Sequence, residues 1–255
     1  MRKEPEEGPA RAGTPALVEL ALPDGRLIAQ ALLVDALRGA GLDSPWDLVA
    51  ARPEGPGTGR GPRGVVELDG GVKLLVKQCL RGGVLRHVNP DRYFRIERFR
   101  RELRLSVRAA RAGLPVAETV CAVLLAATPG WRAFTASRLV DGSRDLAEWL
   151  RRLTDAGEGR ALYGAALAAA QELHDGGLHH RDLNLGNFVA RREGAGWRVV
   201  VVDLDRARWY EGPVPPRIRR RALARLERSW RKLFGEEGPL TAAERQRLAR
   251  ASRAT

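Results

Sequence analysis

The sequence predicts an α+β fold in two lobes, the first rich in strands and the second reduced and mainly helical. Three observations carry that expectation. Strand-like runs bounded by turn residues dominate up to about residue 140, and helix-period patterns dominate after it. Between the later helices lies a polar loop, His180-Arg181-Asp182-Leu183-Asn184-Leu185-Gly186-Asn187, followed by an apolar run, Arg198 to Val202, that ends in Asp203-Leu204-Asp205. Only 50 of the 255 residues then remain, room for a short helical close. The expected divisions are a disordered N-terminus over 1–15, a β-rich lobe over 16–140 and a helical lobe over 141–255.

Taken in order, residues 1–15 are mainly Glu, Pro, Gly and Ala without a period, a composition that does not bury a core. Leu17 to Gln30 alternates around Pro23-Asp24-Gly25, which reads as two short strands and a turn. Ala31 to Ala40 is weakly helical. Ser44-Pro45 opens a second short helix, with Ser44 as N-cap and Pro45 at the first helical position. A Gly/Pro loop over 53–64 leads into strands at Val65–Leu68 and Val72–Lys77. Residues 91–112 read as an Arg-rich helix with Phe94, Phe99, Leu103 and Val107 apolar. Val116–Ala127 and Trp131–Leu139 are two further strands, and Val140-Asp141-Gly142-Ser143 connects the lobes. Helices are expected over Asp145–Leu153, Ala161–His174 and Arg217–Phe234, and from Thr241 to the end.

Composition limits the partners. An apolar fraction of 44% allows a real core, and the formal net charge of +13 attracts anions such as nucleotides or acidic lipid. Lysine occurs only at positions 3, 73, 77 and 232, so Arg supplies nearly all the positive charge. No nucleic-acid motif or aromatic stacking pattern is present, and no nucleic acid is expected as a partner. Cys79 and Cys121 lack metal-type spacing and read as free thiols of a reducing compartment. The N-terminus does not read as a signal peptide, and no apolar run approaches the roughly 20 residues of a membrane-spanning helix. A cytoplasmic protein is expected, with peripheral attachment to a membrane left open.

The chemistry sits on the polar loop and its neighbours. His180 to Asn187 fits H-R-D-L-x-x-x-N, and a carboxylate follows at the end of a buried strand. Phosphoryl transfer needs one Asp to orient an acceptor hydroxyl and take its proton, here Asp182. It also needs oxygen ligands for the magnesium ions that bridge the ATP phosphates, here Asn187 and Asp203. Gly59-Arg60-Gly61-Pro62-Arg63-Gly64 fits G-x-G-x-x-G, so Gly59, Gly61 and Gly64 are candidate phosphate-cradling glycines. The strand that follows favours a hairpin over a dinucleotide-binding turn. Lys77 ends Leu74-Leu75-Val76-Lys77 and is the candidate for the α- and β-phosphates. One of the two glutamates of the Arg-rich helix should pair with Lys77. Glu102 is the expected one, and Glu97 reads better as a solvated ion pair on the helix surface. His179 reads as packed or solvated, and Arg181 has no long activation loop to contact.

With these motifs placed, the chain resembles the lipopolysaccharide core kinases, the 3-deoxy-D-manno-octulosonic acid (Kdo) and heptose kinases. The resemblance runs over about residues 55–234. It rests on Gly59-Arg60-Gly61, Leu80-Arg81-Gly82-Gly83, Asp91-Arg92-Tyr93-Phe94, Gly113-Leu114-Pro115-Val116, Asp182-Leu183-Asn184 with Asn187, Asp203-Leu204-Asp205-Arg206, and Ala224-Arg225-Leu226 with Arg228-Ser229. It implies a bilobal protein-kinase-like fold, use of ATP and Mg²⁺, and a lipid A precursor or other core acceptor phosphorylated on a sugar hydroxyl at the cytoplasmic face of the inner membrane. An anionic membrane surface is then a further partner, met by the arginines at 219, 220 and 221. Asn184 stands where Ser/Thr protein kinases carry Lys, which weighs against a protein substrate. Leu204-Asp205 replaces Phe-Gly of D-F-G. An atypical protein or small-molecule kinase and a nucleotide-binding pseudokinase scaffold are the alternatives.

Overall fold

The computed structural model describes residues 16–51, 61–81, 91–235 and 240–251. The expected disorder of 1–15, Gly59 of the Gly-rich loop and the Gly82-Gly83 pair lie outside these residues.

The N-lobe is one antiparallel sheet with helices packed against it. Its strands are β1 (Leu17–Leu22), β2 (Gly25–Gln30), β3 (Arg63–Leu68), β4 (Val72–Gln78), β6 (Thr119–Ala126) and β7 (Trp131–Arg138), in spatial order β1-β2-β6-β7-β4-β3. A two-residue β5 (Arg92–Tyr93) pairs with the start of β7. Val66, Leu68, Leu74 and Val76 alternate inward on β3 and β4, with Val120, Val123 and Phe134 from the neighbouring strands. This is the period-2 burial that β-branched and aromatic residues favour. Helices α1 (Val34–Gly39) and α2 (Pro45–Ala51) cover this face through Leu37 and Val49. A strand therefore follows the Gly-rich segment, but a helix rather than a strand precedes it. The hairpin in this region is β3–β4, turning at Asp69-Gly70-Gly71.

Helix α3 (Glu97–Arg111) packs on β6 through Phe99 and Leu103, which share a cluster with Ala122 and Leu124. It is six residues shorter at its N-terminus than the periodicity predicts. The missing part is taken by tertiary contacts: Arg132 donates to the Asp91 carboxylate at 2.7 Å, Arg81 donates to the Arg92 carbonyl at 2.8 Å, and Tyr93 meets Phe99 edge-on at 5.2 Å.

The C-lobe is built on α5 (Ala156–Asp175), which starts five residues before the expected Ala161. Asp155 caps it by accepting the Glu158 amide at 2.6 Å, which offsets the helix-weakening Gly157 and Gly159. Around α5 pack α4 (Leu146–Arg152), α6 (Pro216–Phe234) and α7 (Ala242–Ala251), with Trp230 of α6 fully buried against Tyr163 of α5. Thr241 and Glu244 cap α7 reciprocally: the Glu244 amide donates to Thr241 Oγ1 at 3.2 Å and the Thr241 amide to the Glu244 carboxylate at 2.8 Å.

Short strands frame the polar loop. A three-stranded sheet orders β11 (Gly196–Val201), β10 (Phe188–Glu193) and β8 (Arg144–Asp145), and β9 (Leu178–His179) pairs with β12 (Arg208–Trp209). The turn from α5 into β9 uses Gly177 at φ +83°, where a Cβ would lie 2.6 Å from the Tyr210 carbonyl oxygen. Lys73 of β4 reaches Asp141, between β7 and β8, at 3.3 Å. Both cysteines are free. No helix among the described residues is long and apolar enough to cross a membrane.

Candidate active site

The loop between β9 and β10 is held by its own polar side chains. Asn184 donates to the Asp182 carbonyl oxygen at 2.8 Å and accepts the Gly186 amide at 2.9 Å, an Asx turn that leads into one 3-10 turn at Leu185–Asn187. Asn187 donates to the same Asp182 carbonyl at 2.8 Å, which leaves its amide oxygen available to a cation. Leu183 and Leu185 anchor the loop in the C-lobe core. From α6, Ser229 accepts the Leu185 amide at 3.2 Å and Arg225 forms an ion pair with the Asp182 carboxylate at 2.7 Å.

The segment after β11 carries the second carboxylate. Asp203 has φ +64°, the one non-glycine residue in the left-handed region among those described. A conformation that costs about 1–3 kcal/mol persists only where its surroundings fix it. Here the buried His180 bonds the Asp203 carbonyl oxygen at 2.7 Å through Nε2, and the Val202 amide donates to the Asn187 carbonyl at 2.9 Å. These contacts join the polar loop to the Asp203 segment and leave nearly half of the Asp203 side chain exposed.

Lys77, on β4, approaches Asp203 from the N-lobe, with Nζ 4.0 Å from the carboxylate. Burial is the largest influence on Lys77 and opposes its charge, but Asp203 together with Cys79, Glu102 and Asp205 outweighs it and raises the lysine's pKa above the usual value. In return Lys77 lowers that of Asp203 against the opposing effect of burial.

Glu102 and Glu97 of α3 have different surroundings. Glu102 is 4% exposed, and burial together with the Asp203 charge pushes its pKa up to about 7, against the pull of Lys77. Glu97 is exposed and pairs with Arg100 at 2.9 Å and Arg104 at 3.4 Å. The ion-pair partner of Lys77 within 4 Å is nevertheless Asp203, with Glu102 acting on it only through space. Arg98, four residues before Glu102 on α3, pairs with Asp205, and Arg101 donates to the Asp205 carbonyl at 3.3 Å. Two arginines thereby tie α3 to the segment that carries Asp203.

Of the glycines, Gly64 lies in β3 opposite Val76, one position from Lys77. Gly61 precedes it at φ +121°, where a Cβ would meet Leu80 Cδ1 at 2.9 Å. His179 is half-buried, and burial first, then Arg181, holds its pKa down to about 4, so it stands as a neutral packed ring. Arg219 departs from the outward position that helical spacing suggests. It turns in to donate to the Val214 carbonyl at 2.7 Å and pairs with Asp175, whereas Arg220 and Arg221 are exposed.

Sequence reasoning missed Arg225 and Ser229 as parts of the site. Their signal was the segment Ala224-Arg225-Leu226 with Arg228-Ser229, whose contacts with the loop span about forty residues of chain.

Lys77, Asp203, Asn187, Asp182 and Arg225 are thus linked by a chain of contacts, with a cation at each end and oxygen-bearing side chains between. Among the described residues no group of three or more His, Cys, Asp or Glu side chains could cage a metal. The available set suits a hard cation that keeps much of its water.

A family model described as the lipopolysaccharide kinase (Kdo/WaaP) family matches residues 46–251. The chain is 34% identical over 197 residues to a 3-deoxy-D-manno-octulosonic acid kinase of Xanthomonas axonopodis pv. citri (strain 306), with 72% of each chain covered. It is 32% identical over 192 residues to the enzyme of that name from Stenotrophomonas maltophilia (strain K279a), with 73% of this chain and 72% of the other covered. Among solved structures, WaaP in complex with acyl carrier protein superimposes with a TM-score of 0.55 at 21% identity, over 90% of this chain and 89% of that one. That last likeness is one of fold.

Proposed function

Because the chain belongs to the lipopolysaccharide kinase (Kdo/WaaP) family, we propose that it transfers the γ-phosphoryl group of ATP to a hydroxyl of Kdo in the lipopolysaccharide inner core. The family makes it a lipopolysaccharide core kinase, a phosphotransferase of lipopolysaccharide biosynthesis. The choice of Kdo over heptose follows the relatives, which bear the name of 3-deoxy-D-manno-octulosonic acid kinase. The single observation that supports the chemistry is the linked set of Asp182, Asn187, Asp203 and Lys77.

In this reading Asp182 orients the acceptor hydroxyl and takes its proton through the carboxylate oxygen that Arg225 leaves free. Asn187, through its amide oxygen, and Asp203, through its exposed carboxylate, hold Mg²⁺. When bound, the cation offsets the charge of the ATP phosphates. Lys77 exchanges part of its attraction to Asp203 for the α- and β-phosphates, and Glu102 keeps a carboxyl behind it. Gly61 and Gly64 let the backbone beside Lys77 come close to those phosphates, with Gly59 completing the loop. The lobes divide at about residue 140. The enzyme works at the cytoplasmic face of the inner membrane, where exposed α6 residues such as Arg217 and Arg220 favour an anionic lipid surface.

Mass spectrometry of a Kdo-bearing lipid A precursor, incubated with the protein, ATP and Mg²⁺, tests the proposal. The expected product carries one added phosphate on Kdo. A phosphate found only on heptose, or only on a protein substrate, overturns it.

A further inference from the structure

We infer that Arg225 recognises the acceptor's negative charge, seating the carboxylate of an acidic sugar beside the hydroxyl that Asp182 activates. The inference rests on the proposed function, since it assigns a residue to the acidic acceptor.

The loop's own cation, Arg181, is exposed beside Asp182 in sequence but forms no ion pair with it. Asn184 is neutral, and both ends of its amide are committed inside the loop. The ion pair of Asp182 among the described residues comes instead from α6, through Arg225 Nη2 to Asp182 Oδ1 at 2.7 Å. A guanidinium has five N–H donors in a planar fork, so one contact leaves most of them unused. Side-chain exposure of 45% for Arg225 and 40% for Asp182 shows that the pair opens to solvent. Arg245 on Glu227, by contrast, is a closed pair, with 5% of the arginine side chain exposed.

Arg225 is also one of a row. Arg221, Arg225, Arg228 and Lys232 follow at helical spacing, and all four are exposed. Ala222, Leu226 and Trp230 turn the other way, into the core. Arg221, Arg228 and Lys232 form no ion pair among the described residues. Like charges three and four residues apart weaken a helix, so this stripe opposes its own helix until an anion covers it. A carboxylate at Arg225, with further anionic groups of the same acceptor along Arg221 and Arg228, relieves that repulsion. The nucleotide's phosphates have their own cation in Lys77, on the other lobe.

The test pairs two proteins with two soluble acceptors: wild type and Arg225→Gln, each with a Kdo glycoside and with the same glycoside carrying a carboxamide in place of the carboxylate. A charged hydrogen bond of the usual strength corresponds to about 10- to 100-fold in kcat/KM. Arg225→Gln should cost the acid that much more than it costs the amide, mainly through KM. Wild type should prefer the acid, and the variant should lose the preference. Arg225→Lys, which keeps the charge without the fork, should fall between and provides the comparison if the Gln variant folds poorly. Equal losses on both acceptors would mean that Arg225 only positions Asp182, and would overturn the inference. A wild type that phosphorylates other core sugars but neither of these acceptors overturns the proposed function and the inference with it.

Discussion

Asp203 and Asp182 each face one cation, but the two pairs are built from different materials. At Asp203 the backbone lies in the left-handed region, His180 holds its carbonyl, Lys77 comes from the sheet, and Glu102 is buried behind. At Asp182 the partner is a long, half-exposed arginine from a C-terminal helix. The first arrangement is fixed by main-chain geometry and by the buried Glu102 behind it, so changes there should alter nucleotide binding and stability. The second depends on a side chain that α6 brings to the loop, so changes there should alter the acceptor step and leave the rest in place.

The largest effect expected from this contrast is on Asp182. Asp182→Asn should reduce transfer by about 10²- to 10⁴-fold, the usual contribution of a positioned general base. ATP affinity should stay close to wild type. Single-turnover assays and nucleotide titrations check both halves, and activity within a few-fold of wild type removes the base assignment.

Next comes Asp203→Asn, which keeps a residue tolerant of positive φ while removing the charge. It should abolish most of the Mg²⁺ enhancement of nucleotide affinity, at least the ~10- to 100-fold that losing an outer partner of a metal site costs. Asn187→Ala should weaken the enhancement less. Titration of ATP with and without Mg²⁺ measures this, and an unchanged ratio in Asp203→Asn refutes the metal role.

Glu102 gives a pH-dependent test of intermediate size. Its pKa is raised from 4.5 to about 7, so the folded protein keeps a proton that the unfolded chain releases in that window. The stabilisation is complete below pH 4.5 and is lost as pH rises through about 7. Glu102→Gln, which cannot ionise, should therefore flatten the pH dependence of Tm in the nucleotide-free protein. It should gain on wild type above pH 7 by on the order of 3 kcal/mol. Parallel Tm profiles for the two proteins would show that Glu102 does not titrate in this way.

The smallest effect belongs to Ser229→Ala. Losing its bond to the Leu185 amide should cost about 1 kcal/mol of stability and slow turnover modestly. Nucleotide affinity should not change. A shift in ATP affinity would mean that α6 reaches the Asp203 side as well, which would blur the contrast between the two carboxylates.

How far the sequence discloses this arrangement depends on the range of the interactions. The β1–β2 hairpin, the β3–β4 strands, α6 and the polar loop declare themselves through period, turn residues and motif. β5, β8, β9 and β12 are two residues long and exist because a partner strand is there, which no local pattern shows. β10 was not expected either: it begins directly after the loop and ends in Arg191-Arg192-Glu193, with little alternation to mark it. α3 starts later than its periodicity predicts for a related reason, since the anchoring of Asp91 by Arg132 overrides local helix propensity. In the site, the residues of the short motif were visible. That the cation beside Asp182 arrives from Arg225 was not, because it depends on how α6 packs. The selection between Glu97 and Glu102 is likewise a question of burial, which spacing alone leaves open.

The grip of α6 on the polar loop also orders events in time. Ser229 lies 44 residues beyond the Leu185 amide that it holds, and the apolar anchor of the helix, Trp230, comes one residue later. At synthesis rates of roughly 5–20 residues per second, the ribosome needs roughly 2–9 s to add the intervening chain after the loop is made. During that interval Asp203 joins Lys77 on the growing chain, while Asp182 still has no arginine and the loop no hydroxyl to hold it. A translating chain therefore carries Lys77 and Asp203 before it carries the two α6 side chains that hold the Asp182 loop.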